Sequence, residues 1–345
     1  MNTEIFKISP SSPNEDIIKY AAQKIRDGKL VVFPTETVYG LGADATNEKA
    51  VESIFSAKGR PSDNPLIIHI CEPADAENYA YTSPLYYRLA EAFMPGPLTV
   101  IMKSKESIPK KTRGGLDTVA VRCPESLIAR ELIKYSKTPI AAPSANLSGS
   151  PSPTTAEHVI NDMMGRVDVI IDGGSSEFGL ESTIVKIEEE DSLTLLRPGK
   201  ITVEELMLFA QVKVADAVTA MLKDGEKALS PGMKYRHYAP NAPLILVEGS
   251  KEKLAEYINF KSQNAAVIAY DEDCEFFRSV TKATIYPFGY KTDAFFQAHN
   301  LFSILREVDT ANYDIIYAPL PQTVGVSLAL YNRMIRAAAH KIIRL

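Results

Sequence analysis

The stretch PTETVYGLGADA fills residues 34–45, directly after the apolar run Leu30-Val31-Val32-Phe33. Its last six residues, GLGADA, match the spacing of a glycine-rich dinucleotide fingerprint with alanine last. That fingerprint works only where the glycines leave a strand at once and open a helix, so that pyrophosphate meets backbone N–H groups. Here six residues separate Phe33 from Gly40, and Asp44-Ala45-Thr46-Asn47 reads as a turn and helix cap. The dinucleotide reading therefore fails. No GxxxxGK[ST] segment occurs either, so a nucleotide has no P-loop to bind.

Outward from this stretch, helical and extended patterns alternate. Ile17, Ile18, Ala21 and Ile25 have helical spacing over 16–26, with Gly28 as a stop. Helices are also expected at 48–57, 84–93, 125–135 and 155–163. Strands are expected at 30–33, 66–70, 98–102, 119–122, 167–171, 182–187 and 193–197. The pattern weakens from about 213 to 241, where LSPGMKYRHYAPNAP (229–243) reads as an ordered linker because it is not Gly/Ser-rich. A second α/β pattern follows. Its strands are expected at 244–247, 266–270, 284–287 and 315–318, and its helices at 251–260, 293–308 and 326–342. The chain thus divides into 1–212, a linker or lid at 213–241, and a small Rossmann-like domain at 242–345.

Composition narrows the function classes. The chain has 345 residues, enough for two domains, with 45% hydrophobic and 23% charged residues. Its apolar runs are too short to cross a bilayer, and its first residues carry no secretory pattern. Three cysteines without a CxxC pair exclude a disulfide framework and a recognisable zinc site, and they suit a reducing cytoplasm. The net charge is −5, and residues 242–345 balance 11 basic against 11 acidic residues. Neither part is a basic platform for a whole RNA.

Four segments carry candidate chemistry. In SAKGRPSDNPLIIHI (56–70), Lys58 and Arg60 end a helix beside a proline-bracketed loop holding Asn64, and His69 lies on a strand. The cations can cap the helix or neutralise phosphate and carboxylate charge. APSANLSGSPSPTT (142–155) presents Ser144, Asn146 and Ser152, a donor-rich loop for an anion or an ordinary Ser/Pro turn. LESTIV (180–185) and LLRPG (195–199) add Ser182 and Arg197. The five histidines form no triad-like pattern, and no carboxylate cluster has metal-ligand spacing.

Together with AVRCP (120–124), these segments resemble the YrdC-type family, the L-threonylcarbamoyladenylate synthases, in the family's order over residues 14–210. SPGMKYRHYAP (230–240) and the last domain resemble the family's long form. The resemblance implies a twisted mixed sheet with helices around a concave cavity. It implies that threonine and bicarbonate or CO₂ form a carbamate, that the carbamate attacks the α-phosphate of ATP, and that pyrophosphate leaves. The product would pass to a separate transferase that modifies position 37 of tRNA.

The resemblance also implies residue roles. Lys58 and Arg60 would be catalytic, bridging carbamate and α-phosphate. Thr37, His69, Arg122 and Ser182 would hold threonine. Arg60, Asn64, Thr118, Ala142, Ser144, Asn146, Ser152, Arg197 and His237 would hold the nucleotide, with Tyr235 and Arg236 as further linker candidates. Mg²⁺ would arrive with ATP and bind mostly phosphate oxygens, with no protein ligand and no organic cofactor. Direct tRNA contact stays open, and no membrane partner is expected. Two alternatives remain: carbamoyl-adenylate formation of the hydrogenase-maturation type, which lacks its cysteines here, and an RNA-binding module of the same fold, which the net charge disfavours.

Overall fold

A computed structural model describes residues 2–59, 61, 64–220 and 238–345. It divides into two compact units, the first built from residues before about 218 and the second essentially from 235 onwards. None of its helices is long and apolar enough to cross a membrane among the described residues.

The first unit runs β1 (Glu4–Lys7), α1 (Glu15–Arg26), β2 (Val31–Phe33), β3 (Gly40–Asp44), α2 (Glu48–Lys58), β4 (Ile67–His69) and α3 (Pro84–Phe93). It continues through β5 (Leu98–Lys103), β6 (Thr118–Arg122), α4 (Leu127–Ser136), β7 (Ile140–Ala141), α5 (Ala156–Met163) and β8 (Val169–Asp172). It ends with β9 (Thr183–Glu189), β10 (Ser192–Arg197), α6 (Val203–Leu206) and β11 (Gln211–Val214). The strands form one 11-stranded mixed sheet in the order β1-β8-β2-β3-β7-β4-β6-β5-β9-β10-β11.

Helix ends follow local chemistry. Asn14 caps α1 by accepting from Ile17 N, and Asn47 caps α2 by accepting from Lys49 N and Ala50 N. Gly59 ends α2 in the left-handed conformation at φ 62°. The buried face of α1, with Ile18, Ala21, Ala22 and Ile25, packs with Ile128, Ala129 and Leu132 of α4 over Val31, Phe33, Val169 and Ile171.

The Gly40-Leu41-Gly42 segment is β3 itself, paired antiparallel with β2 and β7. A Cβ at Gly42 would lie 2.7 Å from the Phe33 ring and 2.9 Å from Ile140. The glycine therefore answers a packing demand inside the sheet and lies away from any helix N-terminus. The short strands β1, β7 and β11 were not expected. They carry too few residues for a period-2 pattern and are defined by their partners. Because β11 pairs with β10 and Ala217 joins the core beside Ile67 and Ala120, the first unit continues past residue 212.

The second unit holds β12 (Leu244–Glu248), α7 (Lys251–Lys261), β13 (Ala265–Ala269), α8 (Asp271–Val280), β14 (Thr284–Pro287), α9 (Ala294–Val308), β15 (Ile315–Pro319), α10 (Ser327–Ala337) and β16 (Ile342–Arg344). Its five strands are all parallel, in the order β14-β13-β15-β12-β16. Leu254 and Ile258 of α7 and Phe277 of α8 bury one face with Val247, Val267 and Tyr317. The expected helix over 326–342 stops at Ala337. Ala339 and His340 take positive φ values of 47° and 60°, which turns the chain so that Ile342–Arg344 pairs with β12.

Candidate active site

The sheet register assembles the site. His69 on β4 stands opposite Arg122 on β6, which stands opposite Thr99 on β5. Thr99 is opposite Ile184 on β9, and Ile184 is opposite Arg197 on β10. Register partners share a face, so one row of side chains crosses five adjacent strands. Alternation places Ile67, Ala120 and Ile101 in the next row on that face, as an apolar strip. Thr118 lies one row further, four residues from Arg122 or about 13 Å along the strand.

Arg122 is buried together with Glu36. Its NH2 donates to Glu36 Oε1 at 2.5 Å and to Thr37 Oγ1 at 2.9 Å, while its buried Nε finds no acceptor. Glu36 Oε2 accepts from Glu125 N at 3.2 Å. The loop that carries Glu36 and Thr37 is fixed through its backbone. Tyr39 N donates to Pro153 O, Phe178 N to Glu36 O and Gly179 N to Thr37 O.

Ser182 joins the row through three hydrogen bonds. Its hydroxyl lies 2.8 Å from Thr99 Oγ1, and Arg197 NH2 donates to it at 3.1 Å while Arg197 Nε donates to Ser182 O at 3.0 Å. The LLRPG turn reaches this position because Gly199 lacks a side chain: a Cβ there would lie 2.5 Å from Thr183 N. Beside Ser182, the Glu181 carboxylate accepts from Ser152 Oγ at 2.5 Å. Thus Thr37 joins Arg122, and Ser182 joins Thr99 and Arg197, within the row that begins at His69, while Ser152 is tied to Glu181, the residue before Ser182.

A second group forms around Lys58. The residue is 3% exposed, and its Nζ donates to Ser144 O at 2.5 Å and Asn146 O at 2.8 Å. Lys58 therefore reaches away from its own helix terminus and pins the 144–146 loop. Ser144 bridges to Gly40, and Ala142 N donates to Ile67 O, which sets this loop beside the residues that precede β4. Asn64 lies in that segment. Its side chain is fully buried, and neither amide atom has a hydrogen-bond partner. An orphaned buried amide is costly in the free protein and fits a position that a ligand completes. Arg60, Tyr235, Arg236 and His237, with the rest of 230–237, lie outside the described residues.

Two buried groups on or beside the row's strands have strongly shifted pKa values. Burial, reinforced by Arg122, lowers the His69 pKa to about 3, so the imidazole is neutral at any working pH. Its Nδ1 lies 3.3 Å from Ile140 O. Assigning the proton to Nδ1 leaves Nε2 as an acceptor. Burial pushes the Cys123 thiol up to about 12, so it is no nucleophile. Among the described residues no group of three His, Cys, Asp or Glu could hold a metal ion.

Glu36, Thr99 and Glu181 were missed by sequence reasoning. Glu36 and Glu181 had one available signal: each is a carboxylate inside an otherwise uncharged motif, PTETVYG and LESTIV.

Comparison with known proteins settles the family. A family model described as "Telomere recombination" matches residues 23–199, and one described as "Threonylcarbamoyl-AMP synthase, C-terminal domain" matches 201–339. A threonylcarbamoyl-AMP synthase of Pyrococcus abyssi is 45% identical over 339 residues, covering 95% of each chain. The chain belongs to the threonylcarbamoyl-AMP synthase family. Another family member, from Bacillus subtilis, is 41% identical over 96% of each chain. A solved structure of Pyrococcus abyssi Sua5 complexed with L-threonine matches with a TM-score of 0.88 at 42% identity, over 100% of both chains. The match over both units makes this chain a long-form member of the family, with its additional C-terminal domain.

Proposed function

We propose that the protein makes L-threonylcarbamoyl-adenylate and pyrophosphate from L-threonine, bicarbonate or CO₂, and ATP. The product is the activated donor from which a separate transferase modifies position 37 of tRNA. The observation that carries this reading is the buried guanidinium of Arg122, whose Nε has no acceptor, set in a row with neutral His69 and the Ser182 hydroxyl. The match to a relative complexed with L-threonine supports it.

In this reading Arg122 receives the threonine carboxylate, and Thr37 and Ser182 offer hydroxyls around it. His69 Nε2 accepts from the threonine hydroxyl. The nucleotide lies toward Asn64, Thr118 and the 142–146 loop, with Ser152, Arg197 and His237 completing its set. A carbamate oxygen attacks the α-phosphorus, the bond from that phosphorus to the bridging oxygen breaks, and pyrophosphate leaves. The carbamate, the threonine carboxylate and the triphosphate are all anionic, so positioning and charge neutralisation dominate the barrier. Lys58 and Arg60 supply positive charge at the carbamate and α-phosphate. Mg²⁺ carried by the triphosphate adds phosphate neutralisation, and the described residues offer it no cluster of their own. A cytoplasmic setting suits free Cys71, Cys123 and Cys274.

Mass spectrometry of the products from ATP, threonine and ¹³C-bicarbonate tests the reading. The label should appear in a threonylcarbamoyl adenylate, and pyrophosphate should form only when threonine is present. Threonine-independent pyrophosphate release would overturn the assignment.

A further inference from the structure

The second unit contains a cavity of about 320 Å³ at the carboxyl ends of its parallel strands. Val247 from β12, Ala269 from β13 and Pro319 from β15 line it. The chain leaves β13 toward β14 on one side of the sheet and leaves β15 toward β16 on the other. Adjacent strands whose connections diverge in this way open the crevice where parallel α/β sheets bind ligands. The volume is at the small end of ligand pockets, which run about 300–1,000 Å³.

The lining has two chemistries. Leu254, Val267 and Phe277 form an apolar wall. One turn away on the same two helices, Asp273 is 7% exposed and shared by two lysines, with Lys251 Nζ 3.2 Å from Oδ1 and Lys291 Nζ 2.8 Å from Oδ2. Glu252 stands exposed on the rim, its carboxylate turned toward its own backbone N–H and the Ser250 hydroxyl. The two lysines and two carboxylates of the lining cancel, so a simple anion gains no net field there. A zwitterion matches both signs.

We propose that this cavity binds a free α-amino acid with an apolar side chain. Its carboxylate bridges Lys251 and Lys291, its ammonium pairs with Asp273, and its side chain rests on Leu254, Val267 and Phe277. The ligand inserts into the existing ion pairs, so the charges alternate around a closed ring and no buried charge is left unpaired. The site is separate from the threonine-binding row, all of whose residues lie in the first unit.

The test titrates the full-length chain with L-leucine and L-phenylalanine by calorimetry. These probes lack the hydroxyl required at the first site. Saturable binding of one equivalent of either is expected, at least tenfold tighter than that of 4-methylpentanoate or isoamylamine, each of which lacks one charged end of leucine. The neutral triple variant K251Q/D273N/K291Q, which keeps hydrogen-bonding side chains in place, should lose this binding and retain basal product formation. No saturable binding of either probe overturns the proposal. So does binding that survives in a triple variant with an unchanged melting curve, or equal binding of 4-methylpentanoate. If the triple variant does not fold, the single variant K291Q, at the half-exposed lysine, is read in its place: leucine binding weakened at least tenfold is expected, and unchanged binding overturns the proposal.

Discussion

The Arg122 guanidinium donates to the Glu36 carboxylate at 2.5 Å, and both side chains are almost wholly buried. The pair joins residues 86 positions apart and holds the guanidinium before its substrate arrives. Removing one partner strands the other as a buried charge, which costs about 3–5 kcal/mol. Arg122→Ala should therefore lower unfolding free energy by about that amount in urea and also abolish turnover. Arg122→Lys keeps the charge but loses the planar fork, so it should retain more stability while raising the threonine KM at least tenfold. An Arg122→Ala protein of normal stability would contradict the buried pair.

His69 makes a pH prediction. Its folded-state pKa of about 3 lies below the ordinary value of 6.5, chiefly through burial. Between those values the unfolded chain binds the extra proton, so the stability contributed by a neutral His69 is complete above about 6.5 and is lost as pH falls toward 3. Denaturant titrations of wild type and His69→Asn should differ by a constant amount above pH 7. That difference should shrink steadily with further acidification. A difference that stays flat down to pH 4 would place His69 in a wetter environment.

Lys58 joins stability to chemistry. Its Nζ serves the carbonyls of Ser144 and Asn146, so Lys58→Ala should lower the melting temperature as well as turnover. Each hydrogen bond from a charged donor that is lost costs about 1.5–3 kcal/mol. Loss of a cation at the reacting phosphate costs about 3 kcal/mol, roughly a hundredfold in rate. Arg60→Ala should match the rate loss. Pyrophosphate release near the normal rate in both variants would remove them from catalysis.

Asn64 gives the opposite combination. Its amide is buried without a partner in the free protein, so Asn64→Leu should leave stability unchanged or raise it by about 1 kcal/mol. The ATP KM should rise several-fold. A destabilised variant with a normal ATP KM would show that the amide serves the fold.

Substrate choice follows from the proposed pairing of His69 with a hydroxyl. Serine loses only a methyl group, worth about 1 kcal/mol, and should be a weak substrate. Valine leaves the acceptor unpaired and should be far poorer. Valine turning over as fast as threonine would remove His69 from hydroxyl recognition.

Much of this site was legible because polar residues stood out inside apolar strands, as Arg122 does after Val119-Ala120-Val121. Most helices were legible from their spacing, but α6 and α8 were not expected: α6 spans only four residues, and α8 opens on the charged run Asp271-Glu272-Asp273. What stayed hidden depends on distant partners. Thr99 reads as an ordinary strand threonine until β9 brings Ser182 beside it. Glu36 reads as a loop carboxylate until Arg122 meets it. β16 looked like the end of a helix because Ile342 and Ile343 suit either period, and only the left-handed turn at Ala339 and His340 decides. The sequence excluded a phosphate loop at Gly42 but gave no reason for the glycine, whose absent side chain makes room for Phe33.

The row from His69 to Arg197 is drawn from strands made at widely separated times during synthesis: β9 and β10, the last of the five to emerge, pair with each other, and β9 alone pairs onto β5. Contacts of such long sequence separation form late and slowly. A nascent chain that has not yet delivered Ser182 and Arg197 has no completed anion cradle, however well its earlier helices have set. On the proposed assignment, a clipped chain that ends before β9 lacks both residues and should consume no nucleotide.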